Sequence, residues 1–255
     1  MSDKVLIALR GLIRGQKHWG QSLEAIDSAL QGVKILTYDI PGNGTRYQEQ
    51  SLTDIDQYVD DLRSQMLEDI SAGTQVHIFA MSLGAMIGSR WVQRFPDDFR
   101  SAIFANTSFK GISPIYKRLR PKAMAQIIRI ALSKGSYNKE KNIIDLVSNE
   151  QGNRKNELIK SWSDLQNTNP VSYVNAFRQI WAARKFAPSI EKPKVPILLI
   201  ASLNDRLCSV ECSQAIAKAW DVELRTHPSA GHELAFDAPD WTKDQIEDWL
   251  YKHSA

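Results

Sequence analysis

Six short apolar or β-branched runs set the strongest limit on what this chain can become: Val5–Leu9, Val33–Tyr38, Gln75–Ala80, Ala102–Ala105, Val195–Ala201 and Val222–Thr226. Several are nearly continuous, the pattern of strands covered on both faces. Between the early runs lie stretches with helical spacing, Trp19–Leu30, Ser51–Ile70 and Leu83–Phe95, so the order reads β-α-β-α-β-α-β. That alternation predicts an α/β fold with a mainly parallel sheet, right-handed crossovers and helices on both faces. Ligand chemistry is then expected at the carboxyl ends of the strands. Ser51 with Asp54 is expected to cap the second helix, and Pro96 to stop the third.

The alternation breaks after Asn106. From about residue 110 to 192 there is no convincing strand, only helical stretches separated by Gly135, Gly152 and Asn169-Pro170. The expected organisation is a core of residues 1–109 and 193–255 with a helical insertion at 110–192; 255 residues suffice for one such unit. Ile127, Ile128, Leu132, Ile143, Leu146, Leu158, Trp162, Leu165, Phe177, Ile180 and Trp181 give the insertion enough apolar surface to cover something beneath it.

Charge adds exclusions. The net charge is +3, from 32 basic and 29 acidic side chains dispersed along the chain, which implies no nucleic-acid partner. The densest basic stretch, Lys117 to Lys122, reads as a solvated helix start, with some capacity to favour an acidic substrate carrier. Two cysteines, Cys208 and Cys212, offer half the ligands of a structural zinc and read as reduced structural thiols, their i, i+4 spacing suiting one helix face. The apolar run at Val5–Leu9 is too short for a signal-peptide core or a membrane span, so a cytoplasmic location is expected. Oligomeric state stays open.

The chemistry concentrates at three strand ends. Gln75–Gly84 is a strand running straight into a helix with Ser82 at the junction and the small residues Ala80 and Gly84 two positions to either side. A serine on so tight a turn stands above the sheet, and small neighbours are needed where backbones approach closely. An active serine needs a base. Among five histidines, His232 follows the last strand run in Ser229-Ala-Gly231-His232, whereas His77 lies within a strand, His253 at the terminus, and His18 and His227 beside bulky neighbours. Asp205, just beyond Val195–Ala201, is the candidate carboxylate to hold the imidazole tautomer; its bland alternative is a cap for the helix at Val210–Ala219. All three lie past different strands in the order Ser, Asp, His. Arg206, Asp221 and Glu233 read as surface or supporting groups. Two amides are expected to hold a developing oxyanion: that of Leu83, after the serine, and that of Leu12, in the loop Leu9-Arg10-Gly11-Leu12-Ile13-Arg14-Gly15.

Arg10-Gly11-Leu12, Asp39-Ile-Pro-Gly42-Asn-Gly44, Ala80-Met-Ser82-Leu-Gly84, Asn204-Asp205-Arg206 and Gly231-His232 together resemble the α/β-hydrolase superfamily, over roughly Lys4 to Tyr251. The length of the insertion is similar to the cap of carboxylesterases of the pimeloyl-carrier methyl esterase kind. This resemblance implies a structural turn at Asp39–Gly44, no cofactor and no metal. Two departures stand out: Ala80 replaces the first glycine of G-x-S-x-G, and Arg10 stands where relatives carry histidine. Ser82 in place of aspartate disfavours dehalogenase and epoxide-hydrolase chemistry. The expected activity is hydrolysis of a small-molecule carboxylic ester of small to medium acyl chain through an acyl-enzyme. Thioester or carbon-carbon bond hydrolysis by the same residues, and ligand binding without turnover, remain alternatives. Which of Trp19, Trp162, Phe177 or Trp181 faces the cavity is open.

Overall fold

The computed structural model of the protein describes residues 4–253; the extreme ends of the expected core, 1–3 and 254–255, lie outside them. Six strands, β1 (Lys4–Leu9), β2 (Val33–Thr37), β3 (Gln75–Met81), β4 (Ser101–Ala105), β5 (Ile197–Ser202) and β6 (Glu223–His227), form one sheet in the order β2-β1-β3-β4-β5-β6. Every neighbouring pair is parallel. The chain moves outward one way from β1 to β2 and then the other way from β3 onward. The strand ends of β1 and β3 therefore flank the switch point, where the loops leaving them diverge and open a crevice.

The connections are helical: α1 (Gln21–Ala29), α2 (Ile55–Asp69) and α3 (Leu83–Arg94) between the first four strands, then α4 (Ile115–Arg118), α5 (Pro121–Ala131), α6 (Ser136–Val147), α7 (Gly152–Thr168) and α8 (Tyr173–Lys185) between β4 and β5. After β5 come α9 (Val210–Trp220), α10 (Leu234–Asp237) and α11 (Pro239–Lys252). Alternate strand residues point to opposite faces and both sets are apolar, so each face needs its own cover. Val5, Ile7, Leu9, Ile78 and Ala80 pack with Leu62 of α2, Trp91 of α3 and Trp220 of α9. Leu6, Ala8, Phe79 and Met81 pack with Ile26 of α1 and Ile246 and Trp249 of α11. Full burial of one such aliphatic side chain stabilises by roughly 1.5–3 kcal/mol, which fixes the strand register and hence the height of each strand end.

Several local expectations are corrected. Ser51 does not cap α2: Asp54 does, accepting from the Asp56 amide at 2.9 Å, and the buried Ser51 hydroxyl donates to the Pro41 carbonyl instead. Trp19 belongs to a 3-10 turn, Gln16–Trp19, ahead of α1. Cys208 precedes the Ser209 cap of α9 while Cys212 lies inside that helix, so the two buried thiols do not share one helix face; both are free. The basic stretch is largely tied down: Lys117 pairs with Glu211, Arg118 donates to the carbonyls of Ala183 and Arg184, and Arg120 donates to the Asp205 carbonyl at 2.7 Å.

Among the described residues, 106–196 hold no strand, and the helices break at Gly135, Gly152 and Asn169. The expected apolar underside is only half present. Ile143, Leu146, Leu158 and Trp162 are buried, whereas Ile128, Leu132, Phe177, Ile180 and Trp181 are exposed. For Phe177, Ile180 and Trp181 the reason lies in α8, which packs through Asn175, Gln179 and Ala182, a stripe at helical spacing whose first two members are polar. Its apolar periodicity therefore marks the face turned outward. No described helix is long and apolar enough to cross a membrane.

Candidate active site

Ser82 sits between β3 and α3 at φ 53° and ψ −115°, a conformation that costs a non-glycine residue about 1–3 kcal/mol. The surroundings over-determine it. Its amide donates to the Ala105 carbonyl at 2.9 Å, and its carbonyl accepts from the Met86 amide at 3.1 Å and the Thr107 hydroxyl at 3.2 Å. Small neighbours are a steric demand. A Cβ on Gly84 would lie 2.5 Å from the Arg10 carbonyl oxygen, and one on Gly11 would lie 3.1 Å from the Ser82 Cβ. The loop after β1 thus runs directly against the serine.

Ser82, His232 and Asp205, all expected from the sequence, meet in one line. Ser82 Oγ is 2.9 Å from His232 Nε2, and His232 Nδ1 is 2.6 Å from Asp205 Oδ2. A carboxylate oxygen can only accept, so Nδ1 carries the proton and Nε2 is left to accept from the hydroxyl. The other carboxylate oxygen, Oδ1, accepts from the amides of Leu207 and Cys208 at 2.8 and 2.9 Å, which orients the group. Burial alone would lower the histidine's pKa. Asp205, and behind it Glu233, outweigh that and Arg10's opposing charge, leaving His232 above the ordinary 6.5.

Neither Leu83 nor Leu12 gives its amide to another group among the described residues: Leu83 is the first residue of α3, whose N–H has no intrahelical acceptor, and the loop's neighbouring bonds are made by Ile13 and Arg14. The other four histidines are placed elsewhere. His77 is buried against the Ser101 hydroxyl at 2.8 Å, and His18 packs edge-on to Trp162.

Residues the sequence reading passed over hold the histidine loop. Asn106 donates to the carbonyls of His232 (2.9 Å) and Gly231 (3.3 Å) while its Oδ1 accepts from the Ser202 amide, joining β4, β5 and that loop. Asp237 accepts from the Gly231 and Asn149 amides, both at 2.7 Å. Gly231 is required for space, since a Cβ there would stand 2.7 Å from the Val147 carbonyl. A polar residue directly after a strand, and an acid five residues past the histidine, were the available signals.

Glu233 is buried, which selects the supporting role from its two readings. Its carboxylate takes two bonds from Arg10, at 3.1 and 2.9 Å, and the guanidinium lies 4.8 Å from the Trp19 ring and 5.6 Å from that of Trp162. Arginine in place of histidine therefore pins the β1 loop to the histidine loop through one guanidinium nitrogen, Nη2, shared between both carboxylate oxygens. Arg206 is exposed and donates to the Ser148 carbonyl. Asp39 accepts from the amides of Gln16 and Thr45, so the Asp39–Gly44 stretch is a structural turn, with Gly44 packed against the carboxylate. Among the described residues no group of three or more His, Cys, Asp or Glu is placed to hold a metal.

The family model described as serine aminopeptidase, S33, matches residues 5–239. No curated protein matches the chain in sequence. Solved structures with the same fold include a thermophilic esterase from Thermogutta terrifontis (18% identity, 99% of this chain and 91% of that one, TM-score 0.75). A lipase-esterase related protein from Clostridium acetobutylicum (14%, 97% and 94%, 0.75) and a bacterial membrane phospholipase A (14%, 99% and 80%, 0.80) are similar too. At these identities the likeness concerns the fold.

Proposed function

Because the chain belongs to the serine aminopeptidase S33 family of α/β-hydrolases, we propose that it is a serine hydrolase acting on carboxylic esters of small to medium acyl chain. The observation that carries this reading is the unbroken line from the Asp205 carboxylate through His232 to the Ser82 hydroxyl, 2.6 and 2.9 Å, on a backbone held in a strained conformation. Ser82 Oγ attacks the ester carbonyl as its proton passes to His232 Nε2. The imidazolium, stabilised by Asp205, then protonates the leaving alcohol, and water attacks the acyl-enzyme by the same path. The amides of Leu12 and Leu83 are assigned to the oxyanion, and residues 110–192 to a cap over the site. The likeness to esterases and a lipase-esterase related protein supports an ester over a peptide bond.

A fluorophosphonate probe is expected to label Ser82 of the native protein, and Ser82→Ala to abolish labelling and ester turnover. A panel of p-nitrophenyl esters graded by acyl length, beside acyl-thioesters and aminoacyl anilides, tests the bond type. Fast thioester or anilide turnover with negligible ester turnover rejects the carboxylesterase reading, and absence of labelling rejects catalysis by Ser82.

A further inference from the structure

Ile13 occupies φ 56° in the loop after β1. A left-handed conformation is a genuine outlier for a β-branched residue, because its Cβ crowds the backbone carbonyl. Neither glycine of that loop takes the left-handed position; Ile13 does. Strain of this kind persists only when surrounding groups hold it. The holding group comes from far along the chain: Gln179 on α8 presents Oε1 to the Ile13 amide at 2.9 Å. Its Nε2 donates to Asn43 Oδ1 at 2.7 Å and Ser51 Oγ at 3.0 Å, and the residue is fully buried. Asn43 in turn donates to the Arg14 carbonyl at 3.0 Å. The turn is thus gripped on both sides of Ile13, one residue after the amide of Leu12 and two residues after Gly11, where an added Cβ would lie 3.1 Å from the Ser82 Cβ.

We propose that Gln179 is a positioning residue: by capturing the Ile13 amide it holds the loop after β1 in the strained turn that aims the Leu12 N–H at the oxyanion. The hole is then complete only while α8 is docked. This rests on the serine-hydrolase reading above. Gln179 acts through Leu12 and touches neither Ser82 nor His232. Its loss therefore removes stabilisation of the oxyanion and leaves the base unchanged, a signature that distinguishes it from general loosening of the site.

The test needs no knowledge of the natural substrate. Second-order rates of fluorophosphonate labelling are measured against pH for wild type, Gln179→Met, Gln179→Leu, Ile13→Gly and Ile13→Gly/Gln179→Met, with folding verified by circular dichroism. Gln179→Met is expected to label about 10–100-fold more slowly, with the acid limb set by His232 unmoved. Gln179→Leu, which likewise removes the acceptor for Ile13, is expected to lose as much and serves if Gln179→Met does not fold. In the Ile13→Gly background, where the left-handed conformation carries no steric penalty, the Gln179→Met loss is expected to shrink to under about threefold. Labelling of Gln179→Met or Gln179→Leu at the wild-type rate, a shifted acid limb, or a full loss surviving in the Ile13→Gly background each overturns the proposal. A wild type that does not label overturns the hydrolase reading and this inference with it.

Discussion

Replacing Glu140 by leucine should destabilise the protein, because it leaves the buried Arg14 without its counter-ion. Glu140 and Arg14 join α6 to the loop after β1 through one bond, Nη1 to Oε2 at 2.9 Å, with side chains 1% and 3% exposed. The guanidinium also lies 4.1 Å from the Trp162 ring. Arg14 Nη2 and Glu140 Oε1 are buried without partners among the described residues, so the attraction is opposed by incomplete solvation. Breaking such a pair leaves an uncompensated buried charge and costs about 3–5 kcal/mol, whereas an apolar pair of similar volume is often neutral or stabilising. For 255 residues at about 2.1 cal/mol/K each, the unfolding entropy is near 0.5 kcal/mol/K, so Glu140→Leu should lower Tm by about 6–9 °C. The Arg14→Met/Glu140→Leu double variant should return to within about 2 °C of wild type or exceed it. Calorimetry on wild type, both single variants and the double variant decides. A single-variant loss below about 2 °C, or a double variant as unstable as Glu140→Leu, refutes the view that the pair is costly to break yet replaceable.

Three further outcomes follow. The pH profile of labelling should have its acid limb above 6.5, because His232 must be neutral to act and its pKa is raised, burial being outweighed chiefly by Asp205. Glu233→Gln removes a second raising charge and should move that limb down; an upward or absent shift denies Glu233 any electrostatic part. The linkage has the opposite sense: the raised pKa stabilises the fold below the unfolded value, and that contribution disappears as pH climbs through the folded one. Gly84→Ala should cost about 1–3 kcal/mol by thermal melt and slow labelling, since its Cβ would meet the Arg10 and Leu9 carbonyls at 2.5 and 2.8 Å; a neutral effect would show that the loop yields. Burial pushes His77 down to about 4, so the unfolded state alone takes this proton as pH falls from 6.5 towards 4, and stability should drop across that window. His77→Gln, which keeps a partner for Ser101, should flatten the drop in pH-dependent chemical denaturation.

The α/β frame was legible because its signals are local. Continuous apolar strands at β3 and β5 and helical spacing after each early strand leave few topologies, and a reactive residue directly past a strand has its location fixed by the sheet. Ser82, Asp205 and His232 all satisfy that condition. Asn106 satisfies it as well, but an amide after a strand is chemically unremarkable until the loop of Gly231 and His232 is seen to bring two carbonyls to it. Glu233 and Glu140 were hidden for another reason: an acid reads as solvated unless its partner is known, and Arg10 and Arg14 are 223 and 126 residues away. The buried Asn175–Gln179 stripe inverted the reading of α8 outright, because apolar periodicity identifies the core-facing side only when the helix packs on apolar surface.

That inversion bears on how the helical segment is joined to the core. At the α8 seam the contact is made by Gln179 with Asn43, Ser51 and Ile13, by Asn175 with the Ser51 amide and the Glu49 carbonyl, and by Arg178 with the Ser51 carbonyl. Apolar contact is non-directional. A seam of buried hydrogen bonds is not: each donor left unpaired costs about 1–3 kcal/mol, so a small displacement is penalised at several atoms together. The loop after β1 shares the bonds of that seam through Ile13 and Arg14, so its strained turn is tied to α8 by polar chemistry that no hydrophobic pattern could have revealed.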